Sequence, residues 1–228
     1  MSEGLPDLPS VFTPIIALRE GGDAMTRAVA EAPQHGAGTL VWARSWARIE
    51  AAVVLEPEQP LSAARAALLA AMVAFADAAG ALGPPEVPLT FDWPVGIRVN
   101  GGLVGAARLA TPPGCADSEV PDWVVVGIEA AFAASDQDPG RDPGRTTLFE
   151  EGYADTTPAE MTAAWARHLM ATLADWQARG FRVMAERYLA RLDPAIGAGG
   201  RRGIDPATGA LVLDQGGQRE HRALQVAA

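Results

Sequence analysis

Phe91-Asp92-Trp93-Pro94-Val95-Gly96-Ile97-Arg98-Val99-Asn100-Gly101-Gly102-Leu103-Val104-Gly105 is the stretch whose reading decides the fold. Two short apolar runs flank an Asn-Gly pair there. Asn and Gly tolerate the positive φ of a tight hairpin turn, so residues 96–99 and 103–109 are expected to pair as antiparallel strands. Pro94 has no N–H to give to a ladder. It belongs at the mouth of the first strand, with Trp93 held extended ahead of it.

Toward the amino terminus, residues 1–14 read as an extended surface arm, and 15–18 as a short strand. Asp23 is placed to cap a helix to about residue 32, with Met25, Val29 and Ala32 on one face. Pro33 and Gly36-Ala37-Gly38 are expected to end it. Residues 39–42 and 49–55 read as strands, the second buried. A long helix is expected from a cap at Ser62 to Ala79, with Leu68, Met72 and Phe75 at helical spacing. Residues 80–88 then form the loop into the hairpin.

Toward the carboxyl terminus, residues 111–121 are rich in Pro, Gly and Asp and read as an exposed excursion. Residues 123–128 are a strand buried on both faces, and 135–145 a polar loop. Thr157, Pro158 and Glu160 spell a capped helix start with a capping box. That helix runs to Arg179 before Gly180, with Met161, Trp165, Leu169, Leu173 and Trp176 in one stripe. A second helix over 181–192, a glycine linker over 197–203, a strand-turn-strand over 204–213 and a charged tail complete the chain. This order predicts an α+β fold, a mixed and largely antiparallel sheet packed with helices, over residues 1–196. Residues 197–228 would form a small C-terminal β module.

A chain of 228 residues can bury roughly 70% of its unfolded surface, enough for one large domain. No uninterrupted apolar run approaches the ~18 residues of a membrane span, and the start lacks the pattern of a signal peptide. With a single cysteine, Cys115, there is no intramolecular disulfide framework. A cytoplasmic setting with no membrane contact is expected. The net charge of −10 argues against a nucleic-acid partner. All 18 basic residues are arginine. Lysine chemistry is therefore excluded, and anion recognition falls to guanidinium groups or backbone amides.

Trp93-Pro94 leading into a glycine-turned hairpin resembles the central signature of the biotin and lipoate protein ligases. In biotin ligases that signature reads as a lysine, Trp-Pro-Asn-Asp, a strand, a turn, a lysine and a small-residue strand. The order of elements is similar over nearly the whole chain, down to a terminal segment like residues 203–213. The resemblance implies a class II aminoacyl-tRNA synthetase/biotin ligase-like fold. It also implies ATP- and Mg²⁺-dependent activation of a small carboxylic acid (biotin, lipoate or octanoate) to an acyl-adenylate, then transfer to a carrier domain. Such chemistry needs a cation near the acyl phosphate, a loop that cradles nucleotide and acid, and carboxylates for the metal.

The family's Gly-Arg-rich loop falls on Trp42-Ala43-Arg44-Ser45-Trp46-Ala47-Arg48, which keeps two arginines and none of the glycines. By resemblance, Arg44, Arg48 and Arg98 would be the catalytic cations standing in for lysines. Trp93, Asn100, Gly101, Gly105, Arg108 and Gly127 would contact substrate, and Asp92 would hold the metal. Plainer readings stand beside these. Arg44 and Arg48 also suit a solvated surface turn, and Asn100 and Gly101 suit turn geometry alone. Gly105 fits a strand bend, Asp23 a helix cap, and Trp42 a core position. Arg98 and Arg108 point inward or outward according to strand alternation.

Asp92 stands where biotin ligases carry a lysine, which reverses the local field. Val126-Gly127-Ile128-Glu129-Ala130 keeps one glycine of a Gly-x-Gly-x-Asn landmark. Cys115, with no lysine partner, reads as a free thiol rather than an acyl-transfer nucleophile. His35, His168 and His221 are too scattered for a metal site, and the pairs Glu150-Glu151 and Asp136/Asp138 read as solvated charge. Two functions follow: an adenylating ligase, or a ligase-shaped protein that binds a small molecule or partner without adenylation.

Overall fold

The computed structural model describes residues 4–134 and 144–224; Asp136, Asp138 and most of the expected 135–145 loop lie outside them. The elements in order are Ile15–Leu18 (β1), Ala24–His35 (α1), Leu40–Ala43 (β2), Arg48–Leu55 (β3), Leu61–Ala64 (α2) and Ala67–Leu82 (α3). Leu89–Asp92 (β4), Gly96–Val99 (β5), Gly102–Ala110 (β6) and Val124–Ala131 (β7) follow. Pro158–Arg179 (α4), Phe181–Leu189 (α5), Arg201–Ile204 (β8), Leu211–Gln215 (β9) and Gln218–Arg222 (β10) end the chain.

The central hairpin forms as its turn residues require. β5 and β6 pair antiparallel around Asn100 at φ 50° and Gly101 at φ 83°. Pro94 lies outside the ladder, in a turn of Trp93, Pro94 and Val95 that joins β5 to β4. The unit is thus a three-stranded meander. Leu89-Thr90-Phe91-Asp92 was too short a run to announce its strand from sequence.

Seven strands form one sheet in the order β1-β2-β3-β7-β6-β5-β4. β1 and β2 are parallel, with α1 as the crossover; the other pairings are antiparallel. Alternation divides the sheet into two faces. Ile49, Ala51, Val53, Val124, Val126 and Ile128 share one buried cluster with α3 and α4. Ala52, Val54 and Val125 meet Ala24, Met25, Ala28 and Ala32 of α1 on the other. Beyond α1 that second face is not covered by a helix among the described residues, and its outward positions carry charge.

α3 is apolar all round and buried at 12 of its 16 positions, as a helix enclosed between sheet and helix must be. The segment Leu61–Leu82 is long and apolar enough by composition to span a membrane, which corrects the expectation of no such stretch. Its most apolar 18-residue window is instead 72% buried within the fold. The expected single helix is also broken. α2 ends at Ala64, and Ser62 does not cap it: its amide donates to the Asp117 carbonyl at 3.0 Å, so the 111–121 excursion holds the helix start. α1 continues through Pro33 to His35 because the proline falls in its last turn. α4 keeps the expected capping box of Thr157 and Glu160.

After α5 the chain returns to the sheet edge. The Phe91 amide donates to the Arg191 carbonyl at 2.8 Å, and the Asp193 amide donates to the Phe91 carbonyl at 2.9 Å. That covers an edge otherwise open to pairing. β8, β9 and β10 form a separate antiparallel sheet, whose Leu211 and Leu213, with Leu224 beyond, join the main apolar cluster. β10 was unreadable as a strand because all five of its residues are exposed.

Candidate ligand site on the open sheet face

The charged residues of the open face come from five strands and the start of α1. Register places them together. Ala106 of β6 is opposite Glu129 of β7, Arg108 is opposite Gly127, and Glu129 is opposite Glu50 of β3. Arg48, two residues before Glu50, points to the same face. On β5 and β4, Arg98 and Asp92 do likewise. Strand alternation therefore aims both Arg98 and Arg108 outward, onto the face that α3 and α4 do not occupy.

Each of these arginines already has an anionic neighbour. Arg98 Nε donates to Asp92 Oδ2 at 2.7 Å and Nη1 donates to the Gly101 carbonyl at 2.9 Å. Arg48 Nη2 lies 2.6 Å from Glu50 Oε2 and donates to the Gly22 carbonyl at 3.1 Å. Arg108 Nη1 stands 3.5 Å from Asp23 Oδ1 and 3.9 Å from Glu129 Oε2. Arg44 differs. It is exposed, and among the described residues its side chain makes no hydrogen bond or ion pair.

Glu50 is the residue that sequence reading passed over, although a lone acid inside Ile49-Glu50-Ala51-Ala52-Val53 was the available signal. Its side chain is only 5% exposed. Oε1 accepts from the Ala24 amide at 2.8 Å, tying the sheet to the first turn of α1. Oε2 is buried and receives no aligned hydrogen bond; its contact with Arg48 is one of charge. Burial above all pushes the Glu50 carboxyl above its ordinary value, against the pull of the Ala24 amide and Arg48, with Glu129 and Asp23 adding to the rise. Asp23 goes the other way. Partial burial opposes its charge, but Thr26 and Arg108 outweigh that and hold it below the usual range.

The loop between β2 and β3 is pinned. Ser45 Oγ accepts from the amides of Ala47 at 3.2 Å and Arg48 at 3.3 Å. The Ala47 carbonyl accepts from the amides of Phe132 at 2.7 Å and Ala133 at 3.0 Å. Trp42 is buried in the core, whereas Trp46 is 61% exposed at the loop tip.

The remaining candidates have structural work. Trp93 packs edge-on against Tyr188 of α5, with centroids 6.1 Å apart, and Tyr188 stacks on Phe91. A Cβ on Gly105 would strike the Glu129 carbonyl and the Cα of Ala130, and one on Gly127 would strike Met25. These glycines let β7 and α1 approach. Asn100 and Gly101 form the turn. The structure thus brings Arg48, Arg98, Arg108 and Asp92 onto one face, and seats Trp93 against α5 instead.

Asp92 is bonded to Arg98, and no group of three His, Cys, Asp or Glu side chains converges among the described residues. Mg²⁺ takes one or two carboxylates beside substrate phosphates, and at Asp92 it would compete with the Arg98 guanidinium for Oδ2. Burial, then the carboxylates of Glu119 and Asp122, raises the Cys115 thiol above its ordinary value, the wrong direction for a nucleophile.

A large, mostly antiparallel sheet packed with helices matches the fold of solved biotin protein ligases. Residues 8–190 match the Biotin/lipoate A/B protein ligase family, and the chain belongs to that family. The fold is similar to a biotin protein ligase-like protein of unknown function from Silicibacter sp. tm1040, at 29% identity, 96% of each chain and TM-score 0.82. It is also similar to the Aquifex aeolicus biotin protein ligase in complex with biotin and ATP, at 16% identity over 94% of this chain and 97% of that one, TM-score 0.67. The Leishmania major ligase in complex with biotinyl-5-AMP matches at 15% identity over 92% and 99%, TM-score 0.60. No curated protein matches.

Proposed function

We propose that this family member binds a small carboxylic acid on the open sheet face without converting it to an adenylate. One observation carries the reading: Arg48, Arg98 and Arg108 are each set against a carboxylate of the same face. An adenylating site needs cations held ready for charge that develops on the acyl phosphate. Guanidinium groups already neutralised supply little of that field. The pinned Arg44–Arg48 loop and the pairing of Asp92 with Arg98 point the same way.

In this reading Arg44, exposed and without a side-chain partner among the described residues, is the open contact for the ligand's carboxylate. Arg108, half exposed and held at 3.5 and 3.9 Å, is the second cation that ligand can recruit. Arginine suits this role because its fork receives both oxygens of a carboxylate. Biotin, lipoate and octanoate are the acids to test first, because the family relatives of known structure include ligases in complex with biotin.

Calorimetry with each acid, alone and with Mg-ATP, tests the reading. The expected result is binding to one acid that Mg-ATP leaves unchanged, and that Arg44→Ala weakens about tenfold. Binding that requires acid and Mg-ATP together would favour the adenylating ligase and a carrier-protein partner instead.

A further inference from the structure

We propose that Glu50 determines which anions this face admits, by occupying Arg48 and so keeping multiply charged oxyanions such as nucleotide phosphates off the site. The inference rests on the non-adenylating reading above and names the residue responsible for it.

The geometry separates two jobs of one side chain. Oε1 holds the Ala24 amide, a contact that the carbonyl oxygen of a glutamine would make equally well. The negative charge is therefore not needed to tether α1. What the charge does is hold Arg48, whose Nη2 sits between Glu50 Oε2 at 2.6 Å and the Gly22 carbonyl at 3.1 Å. An oxyanion approaching Arg48 must displace a carboxylate that is built into the strand and almost fully buried.

The surroundings make that carboxylate an unusual choice. Glu129 on β7 is directly opposite in register, and like charges placed so repel. Asp23, the cap of α1, adds a third acid. Arg108 on β6 faces Asp23 and Glu129. Three carboxylates thus stand against two guanidinium groups, and the local field rejects further negative charge. The repulsion grows with the charge of the ligand, so a polyphosphate is rejected far more strongly than a monocarboxylate.

Protonation gives the same release as substitution. Lowering pH through the Glu50 titration neutralises the carboxyl and frees Arg48. Burial favours the protonated form and moves that titration up. Affinity for an oxyanion should then rise as pH falls.

Sulfate is a suitable probe because its charge is constant between about pH 5 and pH 8. Calorimetry with the full chain is expected to show sulfate binding at least about tenfold tighter to Glu50→Gln than to the parent at pH 8. The parent's affinity should rise toward the variant's as pH falls, while the variant stays flat. Adding Arg48→Ala should abolish the gain in both cases, and Glu129→Gln alone should leave the parent's pH response in place. No gain in Glu50→Gln, or a gain that survives loss of Arg48, overturns the proposal. If Glu50→Gln does not fold, Glu50→Ala read the same way decides: a gain in sulfate binding that depends on Arg48 supports the proposal, and no gain overturns it. Acid-dependent adenylation by the parent would instead refute the functional reading, which sulfate binding does not measure.

Discussion

Trp165→Ala should lower stability by about 4 kcal/mol, within the range for removing a fully buried indole. Trp165 is completely buried on α4, and its Nε1 donates to the Ala71 carbonyl of α3 at 3.0 Å. α3 is so rich in alanine that few large side chains could move to fill the space. The cavity would open at the α3–α4 contact, the packing that backs the whole sheet. For a chain of this size the melting temperature should fall by about 8–16 °C. Trp165→Phe keeps most of the volume and loses the hydrogen bond, so a cost of about 1–2 kcal/mol is expected. Chemical denaturation of both variants checks the pair. A loss under about 1 kcal/mol for the alanine variant would mean that α3 and α4 are not packed as described.

Gly105→Ala carries the second large effect, and it bears on the site. By sequence this glycine suits either a ligand's close approach or a strand bend. The structure supplies a third party: the new methyl would meet the Glu129 carbonyl, the Ala130 Cα at 2.6 Å and the Ala130 Cβ at 2.9 Å. Backbone atoms cannot swing aside as a side-chain tip can, so β6 and β7 must separate. A cost of about 2–3 kcal/mol follows from such overpacking. It should be the same with and without ligand, since the obstruction lies within the sheet. A variant that melts like the parent but binds its acid poorly would return Gly105 to the ligand.

Much of the fold was legible because its signals are local. Asn100-Gly101 names a hairpin, Thr157-Pro158-Ala159-Glu160 names a helix start, and the valine-rich 123–128 run names a buried strand. The misses have equally physical causes. β4 is four residues long, and β10 has no buried face, so neither produces a pattern. The break at Arg65–Ala66 lies within an alanine-rich stretch that carries no helix-stop residue, and the excursion binds the amides of Leu61 and Ser62 at the start of α2.

The site was less legible. Sequence placed Arg48, Arg98 and Arg108 in suitable elements, but their charge state depends on partners distant in the chain. Arg108 meets Asp23 across 85 positions, and only the register of β3, β7 and β6 brings Glu50 and Glu129 beside them. An arginine's neighbours decide whether it can serve as a free cation, and spacing alone does not reveal them.

Acid-dependent exchange of labelled pyrophosphate into ATP tests the central claim most directly, since that exchange requires a reversible acyl-adenylate. With biotin, lipoate or octanoate and Mg-ATP, the chain is expected to show no exchange above an acid-free control, even where calorimetry finds the acid bound. Exchange that depends on one of these acids would contradict the account, and its loss in Arg48→Ala would show that Arg48 serves the reaction that Glu50 is argued to prevent.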